Sequence, residues 1–176
     1  VGIGLSSDDK YFFITTSDHN TSEQYYFDVN DKEPKPKLIR KRKKGILYSV
    51  NSWNGKFYNH TNEYAEDFKI DVTENLEKQD WKVFIAAKEE VLIGGLTFLN
   101  NWIIRSETSN ALDKLFVKNI TTGIEEELLF SEESIYVPGV SLVQRNKNTD
   151  EIYLGYSSPK TQSRVYSYNL SSKEKK

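Results

Sequence analysis

The sequence predicts an all-β chain of β-propeller blades, about four of them, each with four antiparallel strands. Three observations predict it. First, one hairpin outline recurs along the chain. In Glu151–Leu170 two arms rich in Tyr, Ile and Val, Ile152–Tyr156 and Arg164–Asn169, flank a polar loop that holds Pro159. The same outline joins Lys10–Ser17 to Gln24–Val29, Lys56–Asn62 to Asp67–Thr73, and Trp102–Thr108 to Lys114–Ile120. Second, Phe12, Phe57, Ile103 and Tyr153 align at steps of roughly 45 to 50 residues, the repeat length of a blade. Third, aromatics are abundant and Ala is scarce, which favours strands over helices. A single small sheet cannot bury both faces, and stacking sheets around an axis solves that. A two-sheet sandwich also has short strands, but the fourfold recurrence of a whole unit favours blades. The units are read as roughly residues 1–44, 45–88, 89–134 and 135–176, from that same repeat.

The elements follow in order. Val1–Ser6 reads as an inner strand in which Gly2 and Gly4 allow close backbone approach. Ser7–Lys10 is a turn, Tyr11–Thr16 a strand, Ser17–Glu23 a polar loop and Gln24–Val29 a strand. Lys35–Arg40 suits an outer edge, where Pro36 is tolerated and the flanking Lys residues discourage edge-to-edge pairing. Ile46–Ser52 is the next inner strand. Asn54-Gly55 is a two-residue hairpin turn, because both residues accept positive φ. Lys56–Asn62, Asp67–Thr73 and Trp81–Ile85 complete that unit, with the charged Glu74–Asp80 segment able to hold a helical turn. Val91–Leu99, Trp102–Glu107, Lys114–Ile120 and Ile124–Phe130 form the third. Its turns are Asn100-Asn101 and Thr121–Gly123, and its Glu125–Glu127 run reads as an exposed edge. Val140–Gln144, a loop over Asn146–Asp150 and the last hairpin form the fourth, and a final edge strand is expected in the basic tail Lys173–Lys176.

Composition limits the function. The 176 residues suffice for a core. A net charge of −2 argues against a general nucleic-acid binder. The absence of Cys excludes a disulfide framework, a thiol nucleophile and a Cys-based zinc site, and fits a reducing compartment. No apolar run reaches the ~18 residues of a helical membrane span, and no signal-peptide pattern opens the chain. The first residue is Val and Met is absent, so the chain is expected to be a piece of a longer polypeptide.

Candidate chemistry is sparse. Ser17-Asp18-His19 holds the residue types of a hydrolase triad. Neighbours in sequence cannot form one, because the base must contact both nucleophile and acid in space. No G-x-S-x-G elbow occurs, so these residues are read as a loop bonding backbone amides. His60, the other histidine, lies in a strand and is read as packed or at the surface. Asp8-Asp9 and Asp28–Asp31 lack the pattern of a calcium loop. Trp53, Trp81 and Trp102 are read as core residues rather than a ligand groove. The triplets at Asn20, Asn59, Asn119 and Asn169 match the glycosylation pattern by composition alone. The basic run Arg40–Lys44 is read as a solvated linker rather than an anion patch. No catalytic, cofactor-binding or metal-ligating residue is assigned, and neither nucleic acid nor membrane is expected as a partner.

Four stretches carry a family resemblance: SDHNTSEQYYFDVND (Ser17–Asp31), TNEYAEDFKI (Thr61–Ile70), LDKLFVKNITTGIEEELLF (Leu112–Phe130) and YLGYSSPKTQSRVYSYNL (Tyr153–Leu170). In order and spacing they resemble the propeller of the oligopeptidase B group of the prolyl oligopeptidase family. The chain departs from the family pattern at Lys160–Ser163, where a proline is missing. The resemblance implies a seven-bladed propeller capping an α/β-hydrolase domain of the same polypeptide. This chain would be its second half, ending before the catalytic domain. It implies a cytoplasmic serine peptidase cleaving short peptides after Arg or Lys, with the propeller restricting access. No residue here matches the family's Ser, Asp or His. The alternatives are a stand-alone propeller that binds a protein and, more weakly, a sugar-binding propeller. Half a ring leaves two blade faces uncovered, so self-association or closure into a four-bladed ring is expected of the fragment.

Overall fold

A computed structural model of the protein describes residues 1–129, 136–143 and 147–176. The described residues form fifteen strands and no helix. They fall into two compact units, Val1–Glu89 and Glu90–Lys176. Each unit contains two antiparallel meander sheets, as short turns between successive strands dictate.

In the first unit, one sheet orders β1 (Gly2–Leu5), β2 (Tyr11–Ser17), β3 (Ser22–Asp28) and β4 (Lys37–Arg40). Strand β4 starts directly after Pro36, since proline has no N–H to give a ladder. The second sheet orders β5 (Tyr48–Trp53), β6 (Lys56–Thr61), β7 (Lys69–Thr73) and β8 (Lys82–Ile85). Asn54 (φ 49°) and Gly55 (φ 76°) close the β5–β6 hairpin as two positive-φ residues. The segment 74–80 holds turns and no helix. Gly2 and Gly4 do not serve a close approach: a Cβ at either would meet nothing within 4 Å.

In the second unit, β9 (Leu92–Leu99), β10 (Trp102–Ser109), β11 (Leu112–Asn119) and β12 (Glu125–Glu127) form the third sheet. A bulge shifts the β9–β10 register between Arg105 and Glu107. Gly94 is required there, because a Cβ would collide with Ser106 Oγ and lie 3.1 Å from Ser106 O. The β10–β11 turn is Asn110-Ala111, both at positive φ (50° and 59°). The expected hairpin arms stop short of this turn, because Ala carries no turn signal. Strand β12 is shorter than expected, and Phe130 lies outside the described residues.

Glu125–Glu127 forms the expected edge strand, with Glu125 exposed and Glu126 and Glu127 half-buried. Glu125 pairs with Arg105, whose side chain is 3% exposed and also bonds Glu107 at 2.7 Å. The guanidinium lies 4.7 Å from the Phe116 ring centroid. A buried cation must be paired and hydrogen-bonded, and two carboxylates and a ring face meet that need.

The fourth sheet has three strands, β13 (Val137–Leu142), β14 (Glu151–Ser157) and β15 (Arg164–Asn169). The unit boundary expected near residues 134–135, and the expected strand end at Gln144 and loop start at Asn146, touch residues outside the described set. The expected last edge is present as an isolated bridge, Tyr168 to Lys175, with Ser167 and Lys176 exchanging 2.9 Å backbone bonds.

Among the described residues, a buried cluster sits between the two sheets of each unit. Phe13 and Ile39 of the first sheet pack with Tyr48, Val50 and Phe57 of the second and with Leu76, and Tyr11, Tyr26 and Trp81 flank them. In the second unit Leu99, Ile104, Leu115, Val117 and Leu128 pack against Ile152, Leu154 and Leu170.

Candidate functional site

A dense polar arrangement joins the first two sheets. Strand β5 is the free edge of its sheet, and its outward backbone groups need partners. Side chains of β3 provide them. Ser22 Oγ donates to Tyr48 O (2.8 Å) and accepts from Tyr48 N (2.6 Å). Gln24 repeats the pattern two residues on: Val50 N donates to its Oε1 (2.8 Å), and its Nε2 donates to Val50 O (3.3 Å). Period-2 alternation places both side chains on the face that meets β5. The Tyr48 hydroxyl closes the network, accepting from Gln24 N and donating to Arg40 O, each at 2.8 Å. Burial pushes that phenol up from its ordinary pKa.

The ends of the joint are pinned by turns and charges. Ser7 N donates to Asn51 Oδ1 (2.8 Å), and Ser52 Oγ donates to Asp8 Oδ2 (2.8 Å). Arg40 and Lys43 pair with Glu63 at 2.5 and 3.3 Å. Burial pushes the Glu63 carboxyl up, and the two cations outweigh it and hold it below the usual range. In the second unit Asp150 has the corresponding place. Its Oδ1 accepts from Asn100 Nδ2 (2.8 Å) and Trp102 Nε1 (3.0 Å), and its Oδ2 from Ser171 Oγ (2.5 Å). Burial raises its pKa, and these three donors reverse the shift to below the ordinary value.

A cleft of about 340 Å³ opens beside the first joint, between β1 and β5. Its lining includes Ile3, Leu5, Phe13, Thr15, Gln24 and Asn51, and none of its lining side chains titrates. It can offer apolar contact and hydrogen bonds but no acid–base step.

The residues singled out in the sequence are not brought together as a reactive group. Asp18 caps its own loop, accepting from Asn20 N and Thr21 N at 2.8 Å, and pairs with Arg42 at 3.1 Å. The two backbone donors hold its carboxyl below the usual range. Ser17 lies in β2 opposite Ser22, and His19 is exposed beside Asn20. His60 stacks on Phe68, with centroids 4.5 Å apart. Trp53 is buried, Trp81 donates to Gln79 and Trp102 to Asp150. Asp8 and Asp28 bond their own turns. Asn59 is buried, whereas Asn119 and Asn169 accept backbone bonds in their own turns. Arg40, Arg42 and Lys43 of the basic run are all ion-paired. Among the described residues no group of three His, Cys, Asp or Glu is placed to hold a metal ion, and no helix is long and apolar enough to cross a membrane. Sequence reasoning missed Ser22, Gln24 and Asp150. The signal available for the first two was only a polar residue at alternate positions entering a strand.

The family model described as prolyl oligopeptidase, N-terminal beta-propeller domain, matches residues 1–176. The chain belongs to the prolyl oligopeptidase family. It is 25% identical over 179 residues to dipeptidyl aminopeptidase BI of Pseudoxanthomonas mexicana, covering 100% of this chain and 24% of that protein. It is also 25% identical to Protease 2 of Moraxella lacunata, covering 98% and 24%. Among solved structures, oligopeptidase B from Trypanosoma brucei, in a closed form with covalently bound antipain, superposes with a TM-score of 0.89. The identity there is 23%, over 99% of this chain and 26% of that one. Oligopeptidase B from Leishmania major gives 0.85 at 18% identity, over 99% and 26%. These superpositions establish the blade fold. The chain spans about a quarter of the length of each relative. The joints described above are thus contacts between neighbouring sheets of a prolyl oligopeptidase propeller domain.

Proposed function

We propose that this chain is the non-catalytic second half of the propeller of an oligopeptidase B-like serine peptidase. The carrying observation is the family match across residues 1–176, in a chain whose described residues bring no nucleophile, base and acid together. The partner is an α/β-hydrolase domain of the same polypeptide, and the substrates are short peptides cut after Arg or Lys, in a cytoplasmic setting. The propeller's contribution is steric: firmly joined sheets form a wall that admits short flexible peptides and excludes folded proteins. Side-chain capping of β5 supports that role, because a wall whose edges bond to each other leaves fewer backbone groups for a peptide to pair with.

The test compares the full-length protein with this chain alone. The full-length protein cleaves an Arg or Lys reporter peptide, loses that activity to a serine-reactive inhibitor, and leaves the same sequence uncut inside a folded protein. The chain alone shows no turnover. Inhibitor-sensitive turnover by the chain alone overturns the non-catalytic assignment. Cleavage inside the folded substrate overturns the steric one.

A further inference from the structure

The sheet-2 side of the first joint holds a polar group that its own neighbours leave unsatisfied. Asn59 in β6 is 1% exposed, and neither its Oδ1 nor its Nδ2 has a protein partner. It stands in register between Val50 of β5 and Asp71 of β7. Asp71 is 7% exposed, and its Oδ1 is also unpartnered. Its other oxygen lies 3.0 Å from Lys69 Nζ. Cross-strand register thus puts the Asn59 amide and the Asp71 carboxylate side by side on one face of the sheet, with three buried polar atoms between them unpartnered. Buried amides and carboxylates left without partners cost folding free energy, and native proteins pair nearly all of them with protein groups or ordered water.

We propose that Asn59 and Asp71 together form an internal hydration site that holds at least one ordered water. Charge and valence both select water. Lys69 already balances the Asp71 carboxylate, so a neutral occupant fits and a cation would add an unbalanced charge. The two oxygens need donors and the amide nitrogen needs an acceptor, and water supplies both. A buried water needs two to four polar partners, and this site offers three. The water completes the polar side of the joint, bridging β6 and β7 where no direct side-chain bond does.

A crystal structure of the full-length protein, at a resolution where single waters are ordered, tests this. The expected result is a water peak about 2.7–3.2 Å from both the Asn59 amide and Asp71 Oδ1. In Asn59→Leu, which keeps the side chain's bulk, the same peak is lost. Two results overturn the proposal in the native protein: a dry site with Asn59 Nδ2 bonded directly to Asp71 Oδ1, or an ion at coordination distances too short for water. A peak that survives unchanged in Asn59→Leu overturns it as well.

Discussion

The two sheet-to-sheet joints solve the same packing problem with opposite chemistry. In the first unit, side chains of β3 bond the bare edge of β5, and the flanking core is largely aromatic, with Tyr11 and Phe57 rings 5.2 Å apart. In the second unit the buried cluster is aliphatic throughout, and one carboxylate, Asp150, pins its rim. Hydrogen bonds are directional, so the first joint sets register: a shift of β3 against β5 by one residue would remove Ser22 and Gln24 from their partners. Apolar burial is non-directional and scales with area, so the second joint draws its strength from the aliphatic cluster and its alignment from the bonds to Asp150 at the rim.

The largest effect should come from the aliphatic joint. Ile152 is fully buried, and Ile152→Ala should lower unfolding free energy by about 2–5 kcal/mol, read from a denaturant midpoint. Gln24→Leu comes next, at about 1–3 kcal/mol, because it strands the N–H and C=O of Val50 while keeping the volume. Its distinguishing readout is amide exchange: protection at Val50 should drop while β14 is unaffected. Equal loss of protection in both units would erase the contrast between a register joint and a burial joint.

Acid should loosen both joints, and salt only one. Glu63 and Asp150 are each held below the ordinary carboxylate range. The unfolded chain therefore binds protons more readily than the folded one, and stability falls as pH drops from about 4 through the lowered folded values. High salt at neutral pH should weaken the Glu63 pairing with Arg40 and Lys43, which is partly exposed, and spare Asp150, whose donors are neutral. Exchange protection near each carboxylate, followed in acid and in salt, separates the two. The smallest effect is expected at Lys37–Glu77. Both side chains are more than 60% exposed, so Lys37→Ala should leave the denaturant midpoint nearly unchanged.

Local features were legible where a residue type carries its own conformational rule. Asn54-Gly55 announced a hairpin because both residues tolerate positive φ, whereas Pro36, expected within the edge strand, lies just before β4. Asn110-Ala111 hid the equivalent turn, because Ala has no preference for the left-handed region it occupies. Asp18 was legible as a loop cap, since it bonds amides two and three residues ahead, whereas Ser17, expected in the same loop, ends β2 opposite Ser22. Gln24 and Val50 were opaque: they are 26 residues apart, and no local pattern says that an amide will serve as a strand partner. Arg105 was opaque for the same reason, since its partner Glu125 arrives from another strand and reads in isolation as part of a charged edge.

By itself, the sequence determined the all-β class and the repeated units, because alternation, turn chemistry and spacing are written along the chain, and four of its stretches carried the resemblance to the family. Only the tertiary structure decided which side chains cap β5, which carboxylates pin each joint, and that the Asn59 amide and Asp71 Oδ1 are buried in register without protein partners. Those depend on which strands become neighbours, and that is set by the burial of whole sheet faces rather than by any residue's own preference.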